Sequence, residues 1–149
     1  MSEPDLILKD WEMTKDRIKH FDDVVTRLRL QGIPIGTAIQ AIGLASFQYV
    51  QSIKIWGVSA ASLIIALGSI YLIPIFFLDL LHYNLMLISV RHGKDIEALP
   101  KYKGKLQITT KLTSRKLTIL HTSCAVIVYC GVIILGLILA YFTNTLPTS

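Results

Sequence analysis

Two long stretches of this chain, Ile55 to Leu78 and Leu117 to Ser149, contain no Asp, Glu, Lys or Arg. Segregation of charge on that scale narrows the folds open to 149 residues more than any motif does. A bilayer hydrocarbon core about 30 Å thick is crossed by roughly 20 apolar residues in a helix, and each stretch is long enough. A core helix of a soluble bundle can also be uncharged, but it keeps a polar face toward water, whereas Leu117 to Phe142 is apolar on every side. A content of 52% hydrophobic and 17% charged residues agrees with lipid as the solvent. The expected fold is all-α, an integral membrane helical bundle with an N-terminal amphipathic cytoplasmic helix and two to three transmembrane helices.

Residues 1–31 read as the cytoplasmic helix. Ser2-Glu3-Pro4-Asp5 has the polar cap, early proline and acidic first turn of a helix start, and no apolar signal segment precedes it, so the N-terminus is expected to be retained. Trp11, Ile18 and Val25 recur every seven residues, with Ile7, Phe21 and Leu28 at the offset positions and Thr14 interrupting the row. A seam of this kind (Trp11, Ile18, Phe21, Val25, Leu28) needs a partner helix or a membrane surface. Seven acidic against six basic residues weaken any pull toward anionic lipid, which favours a cytoplasmic protein partner. Gly32 and Pro34 are expected to end this helix, start another and act as a hinge, because proline suits a first helical turn but not an interior.

Residues 32–79 read as a transmembrane hairpin: a weak span over 32–53, a tight external turn near Ser52 to Lys54, and a strong span over 55–78. Trp56 and Tyr71 would mark the two interfaces of the strong span, and Gly57, Ala61, Ser62 and Ala66 would permit close helix approach. From Asp79 the helix is expected to continue to about Leu99, where Pro100 stops it. Residues 80–116 carry eight Lys and Arg against Asp95 and Glu97, so by the positive-inside rule this helix and linker are cytoplasmic. Residues 117–149 form the last span and a short external tail. Three spans keep the charged N-terminus inside; the rival is one long cytoplasmic helix running into the strong span, with the basic linker outside.

Catalytic patterns are missing from the sequence. Gly93-Lys94 is followed by Asp95 and lacks the Ser or Thr of a phosphate-binding loop, and no nucleophile elbow, paired-Cys or zinc-protease motif occurs. His20, Asp22 and Asp23 are not a helical turn apart, so no metal or other cofactor is expected. Cys124 and Cys130 read as small packing residues, and His121 as a packed or interfacial polar group. Asp79 and His82 share a helical face and read as an interfacial polar pair. Thr37, Gln40, Gln48 and Gln51 fall near one face of the weak span. Such amides either hydrogen-bond between helices, the default in lipid, or, repeated in an oligomer, line a weakly selective pore.

The stretches Trp11 to Arg17-Ile18 and Phe21-Asp22, then Leu28-Arg29-Leu30-Gln31-Gly32-Ile33-Pro34, then Asp79-Leu80-Leu81-His82-Tyr83 with Val90, Ile96 and Glu97, together resemble the SLATT class of bacterial anti-phage membrane modules. The likeness covers roughly two thirds of the chain and rests on architecture; the C-terminal span and the lack of a nucleotide-sensing domain depart from the class. The resemblance implies an oligomeric effector that forms an ion-leak pore in the bacterial inner membrane, controlled by a separate sensor; the missing catalytic patterns add the expectation that it is not an enzyme. The alternative expectation is a non-conducting anchor or accessory subunit that recruits a soluble partner through the N-terminal helix. Membrane lipid and copies of itself are the other expected partners, with no direct binding of nucleic acid.

Overall fold

The computed structural model of the chain describes residues 3–50, 52–103, 105–106 and 115–145, with side chains from Asp5 onward and, in the last helix, from Ser123. Gln51 and the His121 side chain lie outside the described residues. The elements are α1 (Glu3–Arg27), a π-helical turn (Leu28–Gly32), α2 (Ile33–Ala45), α3 (Phe47–Val50), α4 (Ala60–Glu97) and α5 (Arg115–Thr145). A two-stranded antiparallel ribbon, β1 (Lys54–Ile55) and β2 (Val58–Ser59), joins α3 to α4 and pairs Lys54 with Ser59 and Ile55 with Val58. Among the described residues the fold is thus helical apart from that ribbon and an isolated bridge between Lys103 and Leu106. Among the described residues, α4 and the Ser123–Thr145 part of α5 are the two helices long and apolar enough to cross a membrane.

The chain separates into two compact units, Met1–Arg27 with Asp79–Ser123 and Leu28–Leu78 with Cys124–Ser149. In the first, α1 runs antiparallel to the Asp79–Glu97 part of α4. Asp10 Oδ2 lies 3.0 Å from His92 Nε2, and the Phe21 ring meets the edge of His82 at 6.3 Å between centroids. Trp11 Nε1 donates to Glu97 Oε1 at 3.3 Å while Lys15 Nζ lies 5.7 Å from the Trp11 ring centre. Val25, Tyr83, Val90 and Ile96 are the buried apolar residues of this unit, with Thr14 and Glu97 buried beside them. The heptad seam therefore finds its partner helix within the chain. Pro100 ends α4 close to where its sequence position says it should, since the residue before a proline avoids helical geometry.

In the second unit three helical segments run up, down and up. Gly36 of α2 faces Leu72 of α4 and Gly43 faces Ile65, so one index falls as the other rises and the two helices are antiparallel. α5 is antiparallel to α4 as well, because Phe76 stacks on Tyr129 (5.3 Å) while Ser62 bonds Thr143 (2.9 Å). Leu28, Leu78 and Cys124 accordingly lie at one end of this unit, and the ribbon and Asn144 at the other. At 1.5 Å per residue, residues 28–50 cover at most about 34 Å and residues 60–78 about 28 Å, so the two arms differ by about one helical turn.

Several expectations are corrected. The start of α2 is not among them: α1 ends at Arg27 and α2 begins at Ile33 with Pro34 in its first turn, the two joined by a π turn in which Gly32 stays helical (φ −64°, ψ −48°). The reversal sits at Trp56 and Gly57 (φ 53° and 81°), later than the expected Ser52 to Lys54, so α4 begins at Ala60 rather than Ile55. Ser59 is the reason, because its Oγ accepts the Ser62 N–H at 3.2 Å and caps the helix. Trp56 stands outside the helix and Tyr71 falls in its interior, half-buried, because α4 continues unbroken to Glu97. Cys124 and Cys130 are exposed rather than packed, since little of the apolar part of α5 is covered.

Candidate functional site

The polar centre of the second unit is built on a single amide. Gln40 in α2 is buried, and its Nε2 donates to Ser69 Oγ of α4 at 3.0 Å and to the Val132 carbonyl of α5 at 3.4 Å. Ser69 Oγ in turn donates to the Ile65 carbonyl at 3.5 Å. One side chain thus ties three helices together. It reaches them because glycines remove the intervening bulk. A methyl group at Gly68 would lie 2.7 Å from the Gly36 carbonyl oxygen, and one at Gly136 would overlap the Gln40 amide and the Ser69 hydroxyl. An interhelical hydrogen bond of this kind contributes about 0.6 kcal/mol on average in a membrane bundle. An unpartnered buried amide would cost about 2 kcal/mol or more, so the bonds matter chiefly as the alternative to none.

Neither Thr37 nor Gln48 joins Gln40. Thr37 bonds its own helix, donating Oγ1 to the Ile33 and Pro34 carbonyls, each at 3.0 Å. Gln48 is exposed in α3, past the turn at Ser46 that ends α2. Gln51 lies outside the described residues. Within one chain Gln40 is therefore directed inward and Gln48 outward.

At the ribbon end a second polar cluster links α4 to α5. Ser59 and Ser62 hydroxyls are 2.6 Å apart, Ser62 and Thr143 hydroxyls 2.9 Å, and Thr143 Oγ1 donates to the Leu139 and Ala140 carbonyls. Each hydroxyl has one proton, so the chain of donors runs from Ser59 through Ser62 to Thr143. The Ser59 N–H donates to Asn144 Oδ1 at 3.1 Å, and the Ala60 N–H to the Ile53 carbonyl at 2.9 Å. These bonds fix the ribbon against the end of α5. They hold Trp56 at a positive φ, a conformation costing on the order of 1–3 kcal/mol in a bulky residue.

Sequence reasoning named Gln40 but not Ser69, Gly68, Gly136 or the Ser59–Thr143 cluster. Gly68-Ser69 and the serine before Ala60-Ala61 were available signals, the first for close approach and the second for a helix cap. In the first unit Asp79 is buried and His82 half-buried, and both are engaged with neighbours. Of the seam residues there, Val25 is buried and Trp11, Ile18 and Phe21 half-buried; Leu28, in the second unit, is half-buried as well. An amide, hydroxyls and carbonyls can join helices or, if the helices part, face water; none is a base or nucleophile at neutral pH. Among the described residues no three His, Cys, Asp or Glu side chains converge to hold a metal ion. No protein-family model matches the chain, and no significant similarity to a curated protein or to a solved structure is found.

Proposed function

We propose that the chain is a multi-pass protein of the bacterial inner membrane and acts there as an oligomeric effector that opens an ion-leak path under the control of a separate sensor. One observation carries the membrane reading: only 33% of the most apolar stretch of α4 and 11% of that of α5 is buried. A core helix of a soluble protein would be covered, whereas here Leu67, Ile70, Ile127, Ile134 and Leu135 are exposed. Leaving one such side chain in water forgoes about 1.5–3 kcal/mol, and a continuous belt of them calls for lipid or for further copies. Three crossings by the up-down-up segments put the N-terminal helix and the basic stretch on one side, which the positive-inside rule makes cytoplasmic.

The effector reading adds that α2 can leave α4 and α5. The arrangement with Gln40 bonded inside is then the closed state, and opening exposes the amide and Ser69 to a water path shared between copies. The assignment to anti-phage defence follows the SLATT resemblance. The test is ion flux from liposomes holding the purified chain, with its mass measured in nanodiscs. The reading expects an oligomer, and flux that changes in rate or selectivity in Gln40→Leu; a monomer that conducts nothing overturns it.

A second reading, a non-conducting anchor for a soluble partner, is favoured by the fact that the Gln40 Nε2 already bonds Ser69 and Val132 within one chain. Trp11 and Phe21 contact the chain's own α4, so the partner would dock on the outward residues of α1, where Leu6, Leu8 and Met13 are exposed. Leu6→Asp with Met13→Lys would then abolish partner recovery from cells and leave liposome flux unaltered.

A further inference from the structure

We infer that the ribbon at residues 54–59 is a bilayer-interface anchor, with Trp56 set among the headgroups and upper acyl chains of the leaflet opposite the basic stretch and Lys54 directed to lipid phosphate. The inference rests on the membrane reading above. Trp56 is 96% exposed at the tip of the ribbon. Both central residues of the turn have positive φ, a geometry that favours Asn-Gly, so turn chemistry does not account for a tryptophan there. Asn144 and the Ser59–Ser62–Thr143 bonds tie the base of the ribbon to α5, and the indole at its tip stands exposed.

The surroundings name the occupant. Trp56 shares its end of the second unit with exposed Tyr141 and Phe142, close to the α5 residues that hold the ribbon, and with exposed Ile53 and Ile55. Lys54, also exposed, is the only Asp, Glu, Lys or Arg between Leu30 and Leu78, and α5 adds none at this end. Amphipathic aromatic rings with a single cation are the composition of a membrane–water interface, where the ring is half-immersed and a lysine stem reaches to phosphate. A docking face for a soluble protein would carry a charged rim, and Lys54 is the only charged side chain among the described residues at this end, beside the neutral polar groups of Ser52, Asn144 and Thr145. On α5 the exposed apolar belt runs from Ile134 and Leu135 through Leu137 and Ile138 to Tyr141 and Phe142 beside the ribbon, so the lipid that covers one reaches the other.

The chain has two tryptophans, so Trp11→Phe leaves Trp56 as its only indole reporter. This variant is placed in phosphatidylcholine vesicles whose acyl chains carry bromine either near the headgroup or near the terminal methyl. A second reporter, Trp11→Phe with Trp56→Phe and Ile70→Trp, marks the middle of residues 60–78 of α4, about 15 Å along the helix from Ala60. Circular dichroism checks that both remain helical. The inference expects blue-shifted Trp56 emission that loses its larger share to the shallow bromines, while the Ile70→Trp reporter loses its larger share to the deep ones. Unquenched, water-like Trp56 emission beside a deeply quenched Ile70→Trp reporter overturns the anchor and leaves the membrane reading standing. Trp56 quenched mainly by deep bromines overturns the interfacial placement. If neither reporter is quenched, the membrane reading fails and the anchor with it.

Discussion

Replacing Gly68 by alanine should loosen the second unit even though alanine is the better helix former. The new methyl would sit 2.7 Å from the Gly36 carbonyl oxygen, 2.7 Å from Gln40 Cγ and 3.0 Å from the Gln40 backbone nitrogen. A comfortable carbon-to-oxygen contact is about 3.3–3.6 Å, so α2 must recede by roughly 0.6–0.9 Å, and two of the three opposing atoms are backbone and cannot rotate aside. Overpacking of this kind costs about 1–3 kcal/mol. The same displacement stretches the Gln40 bonds, one already at 3.4 Å, for about another 1 kcal/mol at most if both are lost. Helix propensity returns about 1 kcal/mol, leaving a net loss of roughly 0–3 kcal/mol where an unhindered Gly→Ala change would gain about 1. Gly131 is the internal control, because a methyl there meets nothing within 4 Å and alanine should be neutral or stabilising by up to about 1 kcal/mol. Both variants would be unfolded from mild detergent by titration with dodecyl sulfate and followed by far-ultraviolet circular dichroism. A Gly68→Ala chain as stable as Gly131→Ala would refute close α2–α4 approach through Gly68.

Three further outcomes follow from the same contacts. Gln40→Leu should cost about 0.6–1.7 kcal/mol in that titration, less than a lost core side chain, because the Ser69 hydroxyl keeps its own bond to the Ile65 carbonyl. Trp11→Ala removes a half-buried indole from the first unit and leaves buried Glu97 without that donor. A loss of about 2 kcal/mol, below the range for a fully buried tryptophan, should appear as faster cleavage within α1 in limited proteolysis while the second unit resists. Asn144→Ala strips the acceptor from the Ser59 N–H, and hydrogen exchange at that amide should speed up by about tenfold, corresponding to about 1.4 kcal/mol of lost protection.

What the residues determine alone is set by local properties. Charge-free stretches long enough to cross a bilayer, the amphipathic period of α1 and the stop at Pro100 need only neighbours within a few turns, because helical period, charge and the missing N–H of proline act at that range. The direction of each polar group was settled by contacts far apart along the chain. Gln40 turns inward to meet Ser69 and Val132 while Gln48, spaced so as to share its face in an unbroken helix, turns outward beyond the bend at Ser46. The seam of α1 is closed by Glu97 and His82 of the same polypeptide, which periodicity could describe as a need but not assign to a partner. Spacing reports which residues share a face; which surface meets that face depends on how closely glycines such as Gly36 and Gly68 let the helices come, and only the packed fold decides that.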